Sequence, residues 1–329
     1  MLFRSIQLLK RSLPLAQIDV VVNAGSANIL KNHPAISNII TYDKRGADSG
    51  FKGMRSLARS LKEQKYELAI VPHRSIRSAL LVVLSGIPRR VGFDKSAGWF
   101  LFTDSVRYEK SMHEVERNIS LLASIGIRQD SKEYPELFPS EEDKKTVAQF
   151  LSEHDLHSSQ FIVVAPGTVW NTKRWPEEYF INLTKKITES DLAVALVGGI
   201  SDTELCERIK NACASSKVIN SAGKLNFLQS AELIRKSKLL VSNDSAPMHL
   251  AVAMRTPVVA VFGATIPGFG FAPYGKFDRV IETLGLDCRP CAIHGGDSCP
   301  VKTFYCMKNI SAEKVFAAVS DVMSSTQEG

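Results

Sequence analysis

Two stretches in the second half of the chain place residues able to bind phosphate just after apolar, strand-like runs. Lys173 lies in a polar loop, where it is either a point charge for a phosphate or an exposed loop cation. Asp244 and Ser245 precede an apolar helix, and either could cap it while the first N–H groups suit a diphosphate. His249, one turn further, is more typical of a hydrogen-bonded core histidine.

A third stretch contains two consecutive glycines, Gly198 and Gly199, after another strand-like run. They would allow a ligand or another backbone segment to come close. They do not form a GxGxxG pattern, which disfavours a nucleotide-dependent epimerase or oxidoreductase. Ser201 and Glu204 have the spacing of a capping box, which would explain Glu204 without any ligand.

Four cysteines near the C-terminus form a further cluster. They are Cys288, Cys291, Cys299 and Cys306. The first pair has the spacing of a zinc site, but the six residues between the last two are unusual for one. A structural zinc site and reduced loop cysteines both fit, and the second interpretation is favoured. No export signal is recognisable, so structural disulfides are not expected.

Short apolar, β-branched runs alternate with amphipathic stretches of helical length. The strands and helices that these runs predict must position the candidate binding residues. The strand candidates are residues 18–23, 39–42, 68–71, 161–165, 193–197, 218–220, 239–242 and 258–262. Such alternation favours βαβ units and parallel sheets buried on both faces. The predicted fold class is α/β, with two doubly wound domains over residues 1–150 and 151–329. A ligand is expected in the cleft between them, at the carboxyl ends of the strands.

Length, composition and charge narrow the functional classes. The 329 residues are 44% hydrophobic and 23% charged, which is typical of a globular protein and long enough for two domains. Residues 1–140 contain 21 Lys and Arg against 13 Asp and Glu, whereas residues 141–329 contain 20 against 21. The excess positive charge predicts an anionic partner for the first half. No basic patch interleaved with aromatic residues appears, so nucleic acid is not the expected partner.

The motifs of the chain can be collected as Lys173-x-Trp175-Pro176, Gly198-Gly199-x-x-Asp202, Asp244-Ser245-Ala246-x-x-His249, Gly86 to Asp94, Pro257 to Thr265, and the tail from Cys288 to Cys306. Taken together, they resemble those of the ADP-heptose:lipopolysaccharide heptosyltransferases of glycosyltransferase family 9. The resemblance implies a GT-B architecture, two Rossmann-like domains facing a central cleft. The first domain would bind an anionic, lipid-linked acceptor and the second an ADP-sugar, with the last helix (311–325) packing back on the first domain.

The resemblance also implies the chemistry and its residues. It places the donor against Thr168, Lys173, Gly198, Glu204, Asp244, Ser245, Ala246 and His249. Lys173 and Asp244 would be the catalytic residues, with Lys173 on the diphosphate. A hydroxyl of the lipid A–Kdo inner core would displace ADP from heptose with inversion, and no metal or other cofactor would be required. The expected location is cytoplasmic, peripheral to the inner face of the inner membrane.

The start of the chain departs from the family pattern. Members open with a strand and a Gly-Asp loop whose Asp is the proposed base, whereas residues 1–14 look like the helix that follows it. Loss of the first, central strand would leave neighbouring strands unpaired. Either the native chain starts further upstream, which the intact nucleotide motifs favour, or the protein is an inactive relative that binds ADP-sugars. Asp43 and Asp94 follow strands, but nothing marks either as a substitute base.

Overall fold

The computed structural model describes residues 3–327 except 45, 47, 130–132 and 157–160. Met1 and Leu2 of the predicted opening helix lie outside the described residues. The chain divides into two compact units, residues 1–135 and 136–329.

The second unit is built on one continuous parallel sheet. Its strands are β6 (Phe161–Ala165), β7 (Ala193–Leu196), β8 (Val218–Asn220), β9 (Leu240–Asn243), β10 (Val258–Phe262) and β11 (Arg279–Glu282). Its helices are α6 (Glu141–Glu153), α7 (Glu177–Glu189), α8 (Thr203–Cys213), α9 (Phe227–Lys236), α10 (Ala246–Ala253), α11 (Tyr305–Lys308) and α12 (Ala312–Gln327). The strand order is β11-β10-β9-β6-β7-β8. Every residue of β6 and β10 is buried, as expected for strands covered on both faces.

The first unit contains two separate parallel sheets. Its strands are β1 (Asp19–Val22), β2 (Asn38–Thr41), β3 (Leu68–Val71), β4 (Arg89–Phe93) and β5 (Asp104–Val106). Its helices are α1 (Phe3–Ser12), α2 (Ala24–Ala27), α3 (Gly50–Glu63), α4 (Ile76–Leu84) and α5 (Glu114–Ala123). Strands β1 and β2 form one sheet, and β3, β4 and β5 form the other.

The break between these sheets leaves β1 and β3 each with a single neighbour among the described residues. Tyr66, two residues before β3, donates a short hydrogen bond to the Asp19 carboxylate on β1. Burial, reinforced by that carboxylate, raises the pKa of Tyr66 above its ordinary value. The two sheets are therefore linked by a side chain.

Helix α6 lies in the second unit, although the sequence-based division at residue 150 places most of it in the first. It packs on α9, and the Nδ2 of Asn226 lies 3.4 Å from an Asp143 carboxylate oxygen. Asp143 also closes a capping box with Ser140 at the start of α6. The boundary between the two units is therefore at residue 135 and not at 150. The contact of α6 with α9, which is distant in sequence, places α6 in the second unit.

The last helix, α12, contributes to the core of the second unit, and its expected packing on the first domain stays a prediction. Its buried valines, Val315, Val319 and Val322, belong to the core of the second unit. That core includes residues of α7, against which α12 packs. The Ser311 Oγ accepts the Lys314 N–H at 3.3 Å at the start of this helix. No helix within the described residues combines the length and apolar character needed to cross a bilayer.

Candidate functional site

The six-stranded sheet of the second unit has one topological switch point, between β6 and β9. From β6 the chain continues to β7 and β8 on one side, and from β9 it continues to β10 and β11 on the other. Loops leaving two such strands diverge and open a crevice at their carboxyl ends, where ligands bind in open α/β sheets. Lys173 follows β6 and Asp244 follows β9, so the sheet brings the two predicted catalytic residues together.

Lys173 and Asp244 form a largely buried ion pair. The Lys173 Nζ lies 2.7 Å from Asp244 Oδ2, and the two side chains are 14% and 8% exposed. Thr265, which follows β10, donates from its Oγ1 to the same carboxylate oxygen at 2.7 Å. Removing two opposite charges from water is favourable only with good geometry and additional hydrogen bonds, which this arrangement supplies. The Asp244 carboxylate thus fixes the position of the ammonium group.

Asn243 fixes the loop that carries Lys173. Its Oδ1 accepts the Trp175 backbone N–H at 3.0 Å, and its Nδ2 donates to the Pro166 carbonyl at 2.8 Å. Both side-chain groups are thereby satisfied in a residue that has no exposed surface. Trp175 is also fully buried, and its indole N–H donates to the Ile310 carbonyl at 2.8 Å. The two ends of the loop are therefore tied to the end of β9.

The cysteine-bearing segment packs against the same loop. The Thr172 N–H donates to the Gly296 carbonyl at 3.0 Å, and the Gly296 N–H donates back to the Thr172 hydroxyl at 2.8 Å. Gly295 has a φ of +86°, and a Cβ at this position would lie 2.9 Å from two carbons of the Lys173 side chain. A glycine is required here both by the backbone conformation and by the close approach of Lys173.

Arg289 holds the loop that carries Thr265. Its guanidinium donates to the carbonyls of Gly263, Thr265 and Thr283, at 2.7 Å for Thr265 and 2.9 Å for Thr283. It also lies 2.7 Å from Glu282 Oε2, and its side chain is 5% exposed. A planar group with five donors can satisfy several carbonyls at once. Arg289 therefore connects the ends of β10 and β11 to the Thr265–Asp244 contact.

Helix α10 begins at this site without a side-chain cap. Its N-cap residue is Ser245, whose side chain caps no N–H group and lies 3.2 Å from the Ser242 hydroxyl. The predicted capping role of Asp244 is wrong, because its carboxylate is engaged by Lys173 and Thr265. The positive end of the helix dipole thus faces the crevice at Ala246, the first helical residue.

The other predicted donor-binding residues lie around this point. Thr168 is in the loop after β6, and its carbonyl accepts from the Arg174 guanidinium at 2.8 Å. His249, half-buried, lies one turn into α10. The roles in binding assigned to Thr168, Ala246 and His249 remain predictions.

The loop that contains Gly198 and Gly199 is held by a different acid from the one that the sequence predicted. Asp202, and not Glu204, has the side chain that turns back to the start of the helical segment, because its carboxylate accepts the Gly199 N–H at 2.9 Å. The predicted Ser201–Glu204 capping box is wrong, because Ser201 lies within a short 3₁₀ turn and α8 begins only at Thr203. A Cβ on Gly198 would lie 2.6 Å from that of Asp202, so this glycine admits a side chain of its own loop. Glu204 remains exposed in the first turn of α8.

All six cysteines carry free thiols. Within the described residues, no group of three His, Cys, Asp or Glu side chains is arranged to hold a metal ion. Burial, together with the nearby thiols of the same cluster, raises the pKa of Cys306 to about 11. Burial acts in the same direction on Cys299, but backbone N–H groups of residues 301–304 outweigh it and lower the pKa of that thiol.

The two acids that follow strands in the first unit both accept backbone hydrogen bonds. Asp43 accepts the N–H of Gly46 within its own turn at 3.0 Å, and Asp94 accepts the N–H of Tyr108, which follows β5, at 2.9 Å. These contacts give both carboxylates a structural role.

Sequence comparison identifies the family to which the chain is similar. The family model described as glycosyltransferase family 9 (heptosyltransferase) matches residues 54–297. Lipopolysaccharide heptosyltransferase 2 of Salmonella typhimurium is 30% identical over 289 residues, which cover 84% of this chain and 82% of that protein. The Escherichia coli protein of the same name is 30% identical over 82% of this chain and 80% of its own length.

Solved structures show the same fold. The structure of E. coli ADP-heptose lps heptosyltransferase II matches with a TM-score of 0.79 at 25% identity, covering 99% of this chain and 95% of that one. A family 9 glycosyl transferase from Veillonella parvula matches with a TM-score of 0.87 at 22% identity, covering 98% and 93%. The predicted α/β class of GT-B type is confirmed.

Proposed function

The chain belongs to glycosyltransferase family 9, and from this premise we propose that it transfers heptose from ADP-heptose to the inner core of lipopolysaccharide. One observation supports the donor most directly. The Lys173–Asp244 pair lies at the uncapped start of α10, at the switch point of the sheet. A cation beside a helix N-terminus is suited to a diphosphate.

In this proposal the diphosphate binds at the start of α10. Main-chain N–H groups of the first turn, apart from Pro247, which has none, donate to its oxygens. The Lys173 ammonium, with three donors, uses those that Asp244 does not take. Both protein contacts of Asp244 are to Oδ2. The other carboxylate oxygen, which accepts no hydrogen bond from the described residues, is available to a hydroxyl of the sugar.

The reaction is a single displacement at the anomeric carbon. A bond forms from an acceptor hydroxyl oxygen to that carbon while the bond to the β-phosphate oxygen breaks, and the hydroxyl proton leaves to a base. Negative charge grows on the departing ADP, where Lys173 and the α10 dipole stabilise it. Fixed donors aimed at developing charge are typically worth about 3–4 kcal/mol each.

A transfer assay tests this proposal. Purified protein is incubated with ADP-heptose and a heptose-deficient lipid A–Kdo acceptor, and both ADP release and the mass of the product are measured. We expect equal amounts of ADP and of acceptor heavier by one heptose. Tight calorimetric binding of ADP without any product would instead support the inactive, ADP-sugar-binding alternative.

A further inference from the structure

Two aromatic residues of the first unit are exposed on a short, well-anchored turn. Trp99 and Phe100 are 54% and 62% exposed, and their ring centroids lie 6.3 Å apart. Ile76, at the start of α4, is 46% exposed. Large apolar side chains that lie together on a surface mark a site of interaction.

The turn is held rigidly against α4. The Ala97 N–H donates to the Arg74 carbonyl at 3.0 Å, which ties the turn to the residues before the helix. A Cβ on Gly98 would lie 2.6 Å from the Ala79 Cβ, so the two backbones are in close contact. The aromatic rings therefore project from a fixed platform.

Three cations lie on the same two segments as these rings. Arg74 and Lys95 are exposed and Arg77 is half-buried. The Arg74 guanidinium packs over the Tyr108 ring, 4.3 Å from its centroid. Residues 74–77 and 95–100 contain no acid, and Asp94, which precedes Lys95, accepts the Tyr108 N–H. Among the residues that the structure describes, no carboxylate forms an ion pair with Lys95 or Arg77. Their charges are therefore not neutralised by the protein. Together these residues define the Trp99 patch: Arg74, Ile76, Arg77, Lys95, Trp99 and Phe100.

We propose that the Trp99 patch docks on the surface of an anionic lipid bilayer. Tryptophan is enriched at the boundary between acyl chains and water, because its ring is apolar and its N–H is polar. Lysine and arginine beside it are attracted to anionic headgroups, and a few apolar side chains then add a modest, reversible affinity. Residues 74–77 and 95–100 contribute three cations and no acid, which complements the charge of an anionic bilayer surface.

This inference extends the proposed function, since a lipid-linked acceptor is presented at such a surface. Its test uses neither donor nor acceptor. Sedimentation with vesicles containing phosphatidylglycerol should recover the protein at low salt, and binding should fall on adding salt or with phosphatidylcholine alone. Replacing both Trp99 and Phe100 by Ser should weaken binding by at least about tenfold. Lys95→Gln should weaken it about fivefold.

Phe227→Ser is the matched control, because this phenylalanine of the second unit is also exposed, at 44%. It should bind vesicles as the unmodified protein does. Fluorescence gives a second measurement, since the chain has three tryptophans and only Trp99 lies in the patch. Brominated lipid should quench the emission of the unmodified protein, and Trp99→Phe should bind vesicles without that quenching.

Absence of binding to anionic vesicles at low salt would overturn the proposal, as would equal losses in the Phe227 control. Self-association that depends on Trp99, without vesicle binding, would assign the patch to a protein partner and reject the lipid. Heptose transfer to a detergent-dispersed acceptor, with no vesicle binding, would reject the patch and leave the proposed function standing.

Discussion

The two units build the same kind of sheet to different degrees of completeness. In the second unit six strands run without interruption, and the two central strands carry Lys173 and Asp244 at their ends. In the first unit the strands form separate sheets of two and three, with β1 and β3 at the break. A parallel sheet positions side chains accurately only where neighbouring strands fix one another's ends, and the second unit fulfils that condition.

Amide hydrogen exchange should show the largest difference between the units. Strands β1 and β2 are four residues long and half-exposed, whereas β6 and β10 are fully buried. We expect amides of β1 and β2 to exchange at least about 100-fold faster, because local opening costs less there. Mass spectrometry of peptides from each strand measures this, and equal protection would contradict the comparison.

Lys173→Ala tests the site that the complete sheet positions. It removes a charge-assisted contact worth about 1.5–3 kcal/mol and leaves Asp244 without its cation, so kcat/KM for the donor should fall at least tenfold. Steady-state ADP release measures it. Lys217→Ala, which breaks an exposed ion pair with Asp191, is the control and should stay within about twofold. Unchanged kinetics in both variants would make Lys173 an ordinary loop cation.

Asp244→Asn separates function from folding at the end of β9. The amide keeps the shape of the side chain but loses the charge that orients Lys173, so kcat/KM should fall roughly five- to tenfold. Loss of the buried ion pair should lower the melting temperature, but activity should fall by more than stability, because the carboxylate caps no helix. A large fall in melting temperature with normal turnover would show that this residue acts mainly in stability.

Arg289→Gln tests how the ends of β10 and β11 support the site. The variant loses most of the carbonyl contacts around Thr265, and we expect calorimetric affinity for ADP to fall about fivefold. Arg279→Gln is the matched control on β11, since Arg279 pairs with the exposed Asp321, away from Thr265. In the double variant with Thr265→Val, losses smaller than the sum of the single losses would confirm that Arg289 acts through Thr265.

Asp143→Asn gives the smallest expected effect and tests the assignment of α6. Burial opposes ionisation of this carboxyl, but hydrogen bonds from Ser140 and Asn226 lower its pKa below the ordinary value. A lowered pKa stabilises the fold above the unfolded-state pKa, and this contribution is lost as the pH falls through the folded-state pKa. Chemical denaturation should show about 0.5–1 kcal/mol lower stability for the variant at pH 7, and the difference should shrink as the pH falls below the unfolded-state pKa. A difference that does not shrink on acidification would contradict this.

The strands that the sequence predicted correctly are the apolar ones. Residues 161–165 and 258–262 are continuous apolar runs, and their observed bounds agree with the prediction. Strands β4, β5 and β11 were missed, because charged residues open them and only part of each is apolar. Strand β4 is central in its sheet, whereas the edge strand β8 was predicted, so detection depended on a continuous apolar run and not on position in the sheet.

The site residues that could be predicted are likewise those with a signal in the local sequence. Lys173 and Asp244 were identifiable because their motifs follow strand ends, and sheet topology brings those ends together. The roles of Asn243, Thr265 and Arg289 could not be read from local sequence, because their partners lie far along the chain. The capping box predicted at Ser201 was wrong for a different reason. Residue spacing alone does not show where a helix begins, and α8 begins only at Thr203.

The uncapped start of α10 has a thermodynamic consequence. Helix N–H groups that no side chain caps are left to a ligand, so a bound diphosphate would complete the fold as well as serve the reaction. Folding and occupancy are then linked. At a ligand concentration 100 times the Kd, the folded state gains about 2.7 kcal/mol. The free energy of unfolding of this protein would therefore rise with the concentration of the nucleotide that it binds.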